Sequence, residues 1–170
     1  MILTGEAILK AVESGEIEID PFDPKYVGPA SYDLAISNHF RFFKKAHKVL
    51  LVDEKVDYKN ETMHVEASEE EPFMIMPGEC AHTITEERIH LPGNICGWLQ
   101  GRSSFARLGL MVHITASFVQ PGVNNAQVLE MFNASPVPLA LKPGARICQI
   151  IFQRCEGSGV YTGKYQGQKL

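Results

Sequence analysis

Met111-Val112-His113-Ile114-Thr115-Ala116-Ser117-Phe118 is followed by Pro121-Gly122 and then by Gln127-Val128-Leu129-Glu130-Met131-Phe132. Two apolar runs separated by a Pro-Gly pair read as strands joined through a turn. The same punctuation recurs at Pro77-Gly78, Pro92-Gly93 and Pro143-Gly144, with strand-like runs at 73–76, 82–85, 95–99, 139–141 and 147–152. Many short strands with such turns predict a mainly β domain: a sandwich, a jelly roll or a barrel.

Upstream the pattern is mixed. Residues 4–14 predict a helix, with Thr4 as its cap, Ala7, Ile8, Ala11 and Val12 on its apolar face, and Gly15 to end it. Residues 16–20 alternate as a short strand that stops at Pro21, and Pro21, Pro24 and Pro29 mark an irregular stretch. Tyr32, Leu34 and Ile36 share one strand face, which Phe40 and Phe42 continue. Arg41, Lys44, Lys45 and Lys48 read as a solvated basic loop, and Glu66 with Glu69, Glu70 and Glu71 as a solvated acidic patch. Between them lie a short apolar run at 49–52 and a weak strand at 64–67. After Cys155 the chain turns polar and glycine-rich. Gly157-Ser158-Gly159 is a flexible joint, so residues 1–156 are expected to form the domain and 157–170 a tail that frays or serves as a lid.

The 170 residues suit one domain with a core that needs no disulfide or metal, and the net charge of -4 excludes bulk electrostatic coating of nucleic acid. No leader-like segment opens the sequence and no apolar run is long enough to span a membrane, so a cytoplasmic protein is expected. Cys80, Cys96, Cys148 and Cys155 show no zinc-type spacing and are expected to be reduced. No two histidines stand at ligand spacing. Zinc nucleobase deaminases carry a His or Cys followed by Glu and a Pro-Cys-x-x-Cys, and neither occurs here.

Two places could carry chemistry. In Arg102-Ser103-Ser104-Phe105-Ala106-Arg107-Leu108-Gly109-Leu110 a serine could cap a short helix after Arg102. Free helix N–H groups, two hydroxyls and two guanidiniums would suit phosphate, although a cap flanked by surface arginines reads equally well. In the strand pattern at 128–132, Val128, Glu130 and Phe132 point one way and Leu129 and Met131 the other. If the Glu130 face lines a cleft, burial is expected to raise its pKa toward neutrality, where a general base works. On pattern alone an outward, solvated glutamate is as good a reading. His113 sits in an apolar strand pattern and is read as structural rather than catalytic.

The block from Arg102 to His113, with Thr115-Ala116 and Val128-Leu129-Glu130, resembles the dCTP deaminases of the trimeric dUTPase-like superfamily. The resemblance extends to Gly28-Pro29-Ala30-Ser31-Tyr32-Asp33-Leu34 and to Gly163-Lys164-Tyr165-Gln166-Gly167-Gln168. It implies a distorted jelly-roll or β-clip domain with a short N-terminal helix, assembled as a homotrimer with sites between subunits. It implies zinc-independent deamination of dCTP to dUTP and ammonia, feeding dUMP and thymidylate synthesis, with Mg2+ bound through the triphosphate. Glu130 falls on the family's catalytic glutamate. Ser103 would help hold the attacking water, and Arg107 would sit near the reacting amino group and Glu130. Substrate contacts are implied for Arg102, Ser103, Ser104, Phe105, Ala106, Arg107, Ala116, Gln120, Val128, Leu129, Tyr161, Lys164 and Gln168. The tail would fold over bound nucleotide, with dCTP and dUTP as ligands and dTTP put forward as an inhibitor to test.

Gln120 departs from the family, which carries an aspartate there against the sugar. An amide can still hydrogen-bond a 3′-hydroxyl but cannot act as a base, so Gln120 speaks against strong pyrophosphatase activity. The rival readings are a dUTP pyrophosphatase or bifunctional deaminase on the same fold, and a nucleotide-binding relative without catalysis.

Overall fold

Gly78, Gly122 and Gly144, each following a proline, have φ of 77°, 78° and 77°. Positive φ at the third position after a proline is the type II turn, and only glycine takes it without strain. The turns close through Glu79 N–H to Met76 O (3.0 Å), Val123 N–H to Gln120 O (3.4 Å) and Ala145 N–H to Lys142 O (3.2 Å). Pro92-Gly93 differs: its glycine is held at ordinary φ, and a side chain there would strike Ser158.

The structure, a computed structural model, describes residues 1–44 and 49–170. Its helices are α1 (Gly5–Glu13), α2 (Tyr58–Glu61) and α3 (Ser103–Ala106), with a 3-10 turn at Pro24–Tyr26. The strands are β1 (Glu18–Asp20), β2 (Tyr32–Leu34), β3 (Ile36–Phe43), β4 (Thr62–Glu66), β5 (Phe73–Ile75), β6 (Cys80–His90) and β7 (Ile95–Gly101). They continue with β8 (Leu110–Val112), β9 (Phe118–Val119), β10 (Asn124–Asn133), β11 (Leu139–Leu141) and β12 (Cys148–Arg154). One sheet runs β4-β3-β6-β10-β8 with β1 also on β6, a second runs β2-β12-β7-β9, and β5 pairs with β11. Phe40, Leu129 and Met131 from the first sheet share one core cluster with Leu34, Ile150 and Phe152 from the second, so the sheets pack face to face. The fold is mainly β, as the turns predicted.

Helix α1 buries Ile8 and Ala11, as its periodicity required, and Gly15 ends it at φ 73°. Thr4 occupies the cap position but its side chain makes no capping bond, contrary to expectation. Tyr32 and Leu34 do not continue into Phe40 on one strand, because Ala35 separates β2 from β3 and the two strands belong to different sheets. The run at 111–118 is also not one strand. It breaks after Val112, where the Val112–His113 peptide is cis, and resumes at Phe118, leaving 113–117 as an irregular wall. Leu50 is exposed, as are Val49, Leu51 and Val52, and none of them lies in a strand. Lys45 and Lys48 of the basic cluster lie outside the described residues.

Cross-strand register lines up one row of polar side chains. Glu130 of β10 is opposite His82 of β6, His82 is opposite Arg41 of β3, and Arg41 is opposite His64 of β4. Directly opposed residues share a sheet face. The β3–β4 pairing also brings His39 to within 3.2 Å of His64. No histidine pair stands at ligand spacing in the chain, yet strand pairing joins two that chain spacing keeps apart. All four cysteines are free thiols. Among the described residues no helix is long and apolar enough to cross a membrane.

Candidate active site

Strand β10 alternates without a break: Asn125, Gln127, Leu129, Met131 and Asn133 are buried, and the residues between them are partly exposed. Leu129 and Met131 enter the core at 0 % exposure. Glu130 therefore turns to the other face, where it lines a cavity of about 550 Å³. The irregular wall at 113–117 and the turn before β10 close two sides. The tail closes a third. Gly159 N–H bonds Gly93 O (2.8 Å), Tyr161 N–H bonds Pro121 O (2.9 Å), and Gln168 Nε2 donates to Ala126 O (3.3 Å). Tyr161, Tyr165 and Gln168 then face the cavity.

Pairing of β8 with β10 sets Val112 opposite Met131, which carries the next residue, His113, against Glu130. His113 Nδ1 lies 3.0 Å from Glu130 Oε2, within ion-pair distance. The imidazole is almost fully enclosed at 4 % exposure, while the carboxylate retains 32 %. The expected upward pKa shift of Glu130 is overturned. His113 beside it holds the carboxyl below its ordinary range, burial pushes the other way, and His82 and the Thr115 N–H add smaller downward effects. Glu130 is consequently ionised at neutral pH, in the form that accepts a proton. Burial lowers the pKa of His82, which keeps it neutral. His82 Nδ1 and Asn125 Oδ1 are buried in the cavity wall without a protein partner among the described residues, and offer polar contacts to a bound molecule.

Of the residues expected from sequence, Ala116, Gln120, Val128, Glu130, Tyr161 and Gln168 face this cavity. Leu129 does not, because its side chain belongs to the core; any contact from it would use its backbone. Lys164 points elsewhere, with Nζ 3.4 Å from Val56 O. His113, set aside as structural, stands 3.0 Å from the Glu130 carboxylate. In sequence Asn125 stands out only as part of the Asn124-Asn125 pair, and His82 and Gln127 were missed; alternation sets Asn125 and Gln127 on the side of Leu129 and Met131 and gives no hint of the cavity.

The Arg-Ser-Ser block forms α3 but stands apart from its own chain's cavity. Arg102, not a serine, holds the cap position, and it makes no side-chain cap bond. Its guanidinium is drawn to Asp33 Oδ2 (3.1 Å) and to Arg146 O (2.7 Å). Ser103, Ser104, Ala106 and Arg107 are exposed, and Phe105 packs against the core. Among the described residues no arginine or lysine lines the Glu130 cavity. The expected proximity of Arg107 to Glu130 does not occur within one chain.

The chain is 39 % identical to "dCTP deaminase, dUMP-forming" of Thermobifida fusca, over 99 % of this chain and 89 % of the relative. It is 38 % identical to the protein of the same name from Acidothermus cellulolyticus, over 99 % of this chain and 92 % of the relative. In structure it resembles a 2′-deoxycytidine 5′-triphosphate deaminase from Agrobacterium tumefaciens, with a TM-score of 0.70 at 20 % identity. That match covers 91 % of this chain but spans only about half, 48 %, of the other. A dUTPase from phage phi11 of S. aureus shares the fold at a TM-score of 0.55 and 9 % identity, over 87 % of this chain and 96 % of that one. With the family model for dCTP deaminase-like proteins matching residues 2–155, the chain belongs to the dCTP deaminase-like family.

Proposed function

We propose that the Glu130 cavity hydrolyses the 4-amino group of dCTP, giving dUTP and ammonia without zinc. The observation that carries this reading is the Glu130 carboxylate set 3.0 Å from His113 inside a cavity closed by the tail. Glu130 takes a proton from water and passes it to ring N3 as the hydroxide oxygen bonds to C4. Glu130 then carries the proton of the new C4 hydroxyl to the exocyclic nitrogen, the C4–N bond breaks, and ammonia leaves as the C4 carbonyl forms. The names of the relatives support dCTP as substrate. Closure by residues 157–170 would exclude water from this step.

The triphosphate needs cations that the cavity of one chain lacks. We infer a homotrimer in which Arg102–Arg107 of one subunit, with Ser103 beside the water and Arg107 near the amino group, complete the site of another. Magnesium would enter on the substrate's phosphate oxygens, because Glu130 is the single carboxylate lining the cavity among the described residues and faces His113. Mixing inactive Glu130→Gln and Arg107→Ala proteins under exchange conditions should restore measurable deamination, since hybrid trimers regain some sites with both groups intact. Mixtures as inactive as their parents would refute sites shared between subunits.

A second reading carries the reaction on to dUMP and pyrophosphate. It is favoured by the phrase "dUMP-forming" in the relatives' names and opposed by Gln120, an amide at the cavity edge. Supplying zinc-stripped protein with dCTP and Mg2+ and following ammonia and pyrophosphate separately decides between them. Ammonia alone supports deamination to dUTP, equal yields support the second reading, and neither product refutes both.

The depressed pKa of Glu130 sets a pH dependence. Its carboxylate persists as pH falls to below the usual carboxylate range, so the acid limb of kcat/KM should lie there rather than near neutrality. In His113→Asn the imidazole is gone and burial remains, so that limb should move to higher pH. A pH–rate profile unchanged by this substitution would show that His113 does not set the protonation of Glu130.

A further inference from the structure

The polar row that carries Glu130 continues across the sheet to a second cluster. In the β3–β4 ladder His39 is opposite Glu66 and Arg41 is opposite His64, so all four side chains share one face. His39 Nδ1 and His64 Nε2 are 3.2 Å apart, and Glu66 Oε1 is 3.7 Å from the same His39 nitrogen. The three ligand atoms lie within 4.8 Å of one another, the one such His, Cys, Asp and Glu group among the described residues. We propose that His39, His64 and Glu66 form a surface site for a divalent transition-metal ion of the zinc type.

The geometry fits that ion. Two imidazole nitrogens bound to zinc at about 2.0–2.1 Å with a tetrahedral angle lie roughly 3.3–3.4 Å apart. The two histidines already stand at this bite, and a small rotation of Glu66 brings in the third ligand. Two imidazoles and one carboxylate select zinc, copper or nickel over magnesium or calcium. The backbone of His39 is fixed on both sides, its N–H donating to Ser37 Oγ (3.1 Å) and its carbonyl accepting from Thr83 Oγ1 (2.9 Å). Arg41, the cation on this face, is engaged at the opposite side of the row. Its Nε donates to Thr62 Oγ1 (2.9 Å) and a terminal nitrogen to Lys59 O (3.2 Å), which turns its charge away from Glu66. A bound ion would clip β4, the edge strand, to β3. It would stand three strand spacings from Glu130, about 14 Å, too far to take part in the reaction there.

Equilibrium dialysis of the reduced full-length protein against zinc alone tests this. The expected result is saturable uptake of one zinc per chain. His39→Ala and His64→Ala should each weaken it by at least about tenfold, because losing a ligand costs no less than losing an outer partner of one. Glu66→Gln should weaken it as well. If His64→Ala fails to fold, His64→Gln keeps a hydrogen-bonding side chain at this exposed position and reads the same loss. Absence of saturable uptake, or uptake equally tight in wild type and both histidine variants, would overturn the proposal, the latter because the zinc would then sit elsewhere.

Discussion

Replacing Glu130 with glutamine should lower kcat for ammonia release by roughly 10²–10⁴-fold, the usual contribution of a positioned proton acceptor, while dCTP still binds. The amide keeps the side chain's length and its seat on the partly exposed face of β10, so the cavity retains its shape. What disappears is the negative charge that His113 faces at 3.0 Å and the lone pair that takes the proton. Losing kcat while keeping affinity is the signature of an interaction made in the transition state rather than in the ground state. Titration of binding alongside single-turnover ammonia release separates the two. A variant that binds dCTP and releases ammonia at a substantial fraction of the wild-type rate would remove Glu130 from the chemistry. A variant that no longer binds would instead point to a lost substrate contact.

Replacing Arg146 with methionine should cost about 3–5 kcal/mol of folding stability, the usual consequence of stripping one partner from a buried ion pair. Glu87 is fully buried at 0 % exposure, and Arg146 reaches it at 2.7 Å with 17 % exposure of its own. The same guanidinium nitrogen donates to Asp33 O (2.7 Å), and the guanidinium lies 3.3 Å over the ring of Tyr26. Burial pushes the Glu87 pKa up, and the hydrogen bond and charge of Arg146 oppose it. Without Arg146 only the backbone N–H groups of Ala35 and Glu87 oppose that push, so the folded Glu87 pKa rises further above its unfolded value and the folded state holds a proton that the unfolded chain has released. The variant should then be most stable at low pH and lose stability as pH rises through the raised pKa. In a domain of this size the loss corresponds to roughly 6–20 °C in Tm. Glu87→Met combined with Arg146→Met should recover most of it, because no charge is then left buried, although the Ala35 N–H loses its acceptor at 2.9 Å. Urea denaturation of the single and double variants measures both effects. A single variant within about 1 kcal/mol of wild type would mean that solvent reaches Glu87 despite its burial.

The substitution has a second consequence. The carbonyl of Arg146 accepts from Arg102, whose other terminal nitrogen pairs with Asp33. The buried pair therefore underlies the arginine that opens α3. In the fold the Arg102 guanidinium is drawn to Asp33 and to the Arg146 carbonyl. The exposed members of the block, Ser103, Ser104 and Arg107, are the ones presented outward.

The sequence by itself determined the features that depend on neighbouring residues. Three of the four Pro-Gly pairs make the turns they encode, because proline fixes one dihedral and glycine alone tolerates the next. The apolar face of α1 is buried where its period placed it, and Glu130 faces away from Leu129 and Met131 because strands alternate. The block from Arg102 to Glu130 also sufficed for the family. Only tertiary structure decided what surrounds those side chains. His113 meets Glu130 through the β8–β10 pairing, which reverses the direction of the carboxyl's pKa shift. His39 meets His64 through β3 and β4, and the α3 arginines stand clear of their own chain's cavity. Local period fixes which way a side chain points. Its charge state depends on burial and on charges a few ångströms away, and those are supplied by strands that are distant in the chain.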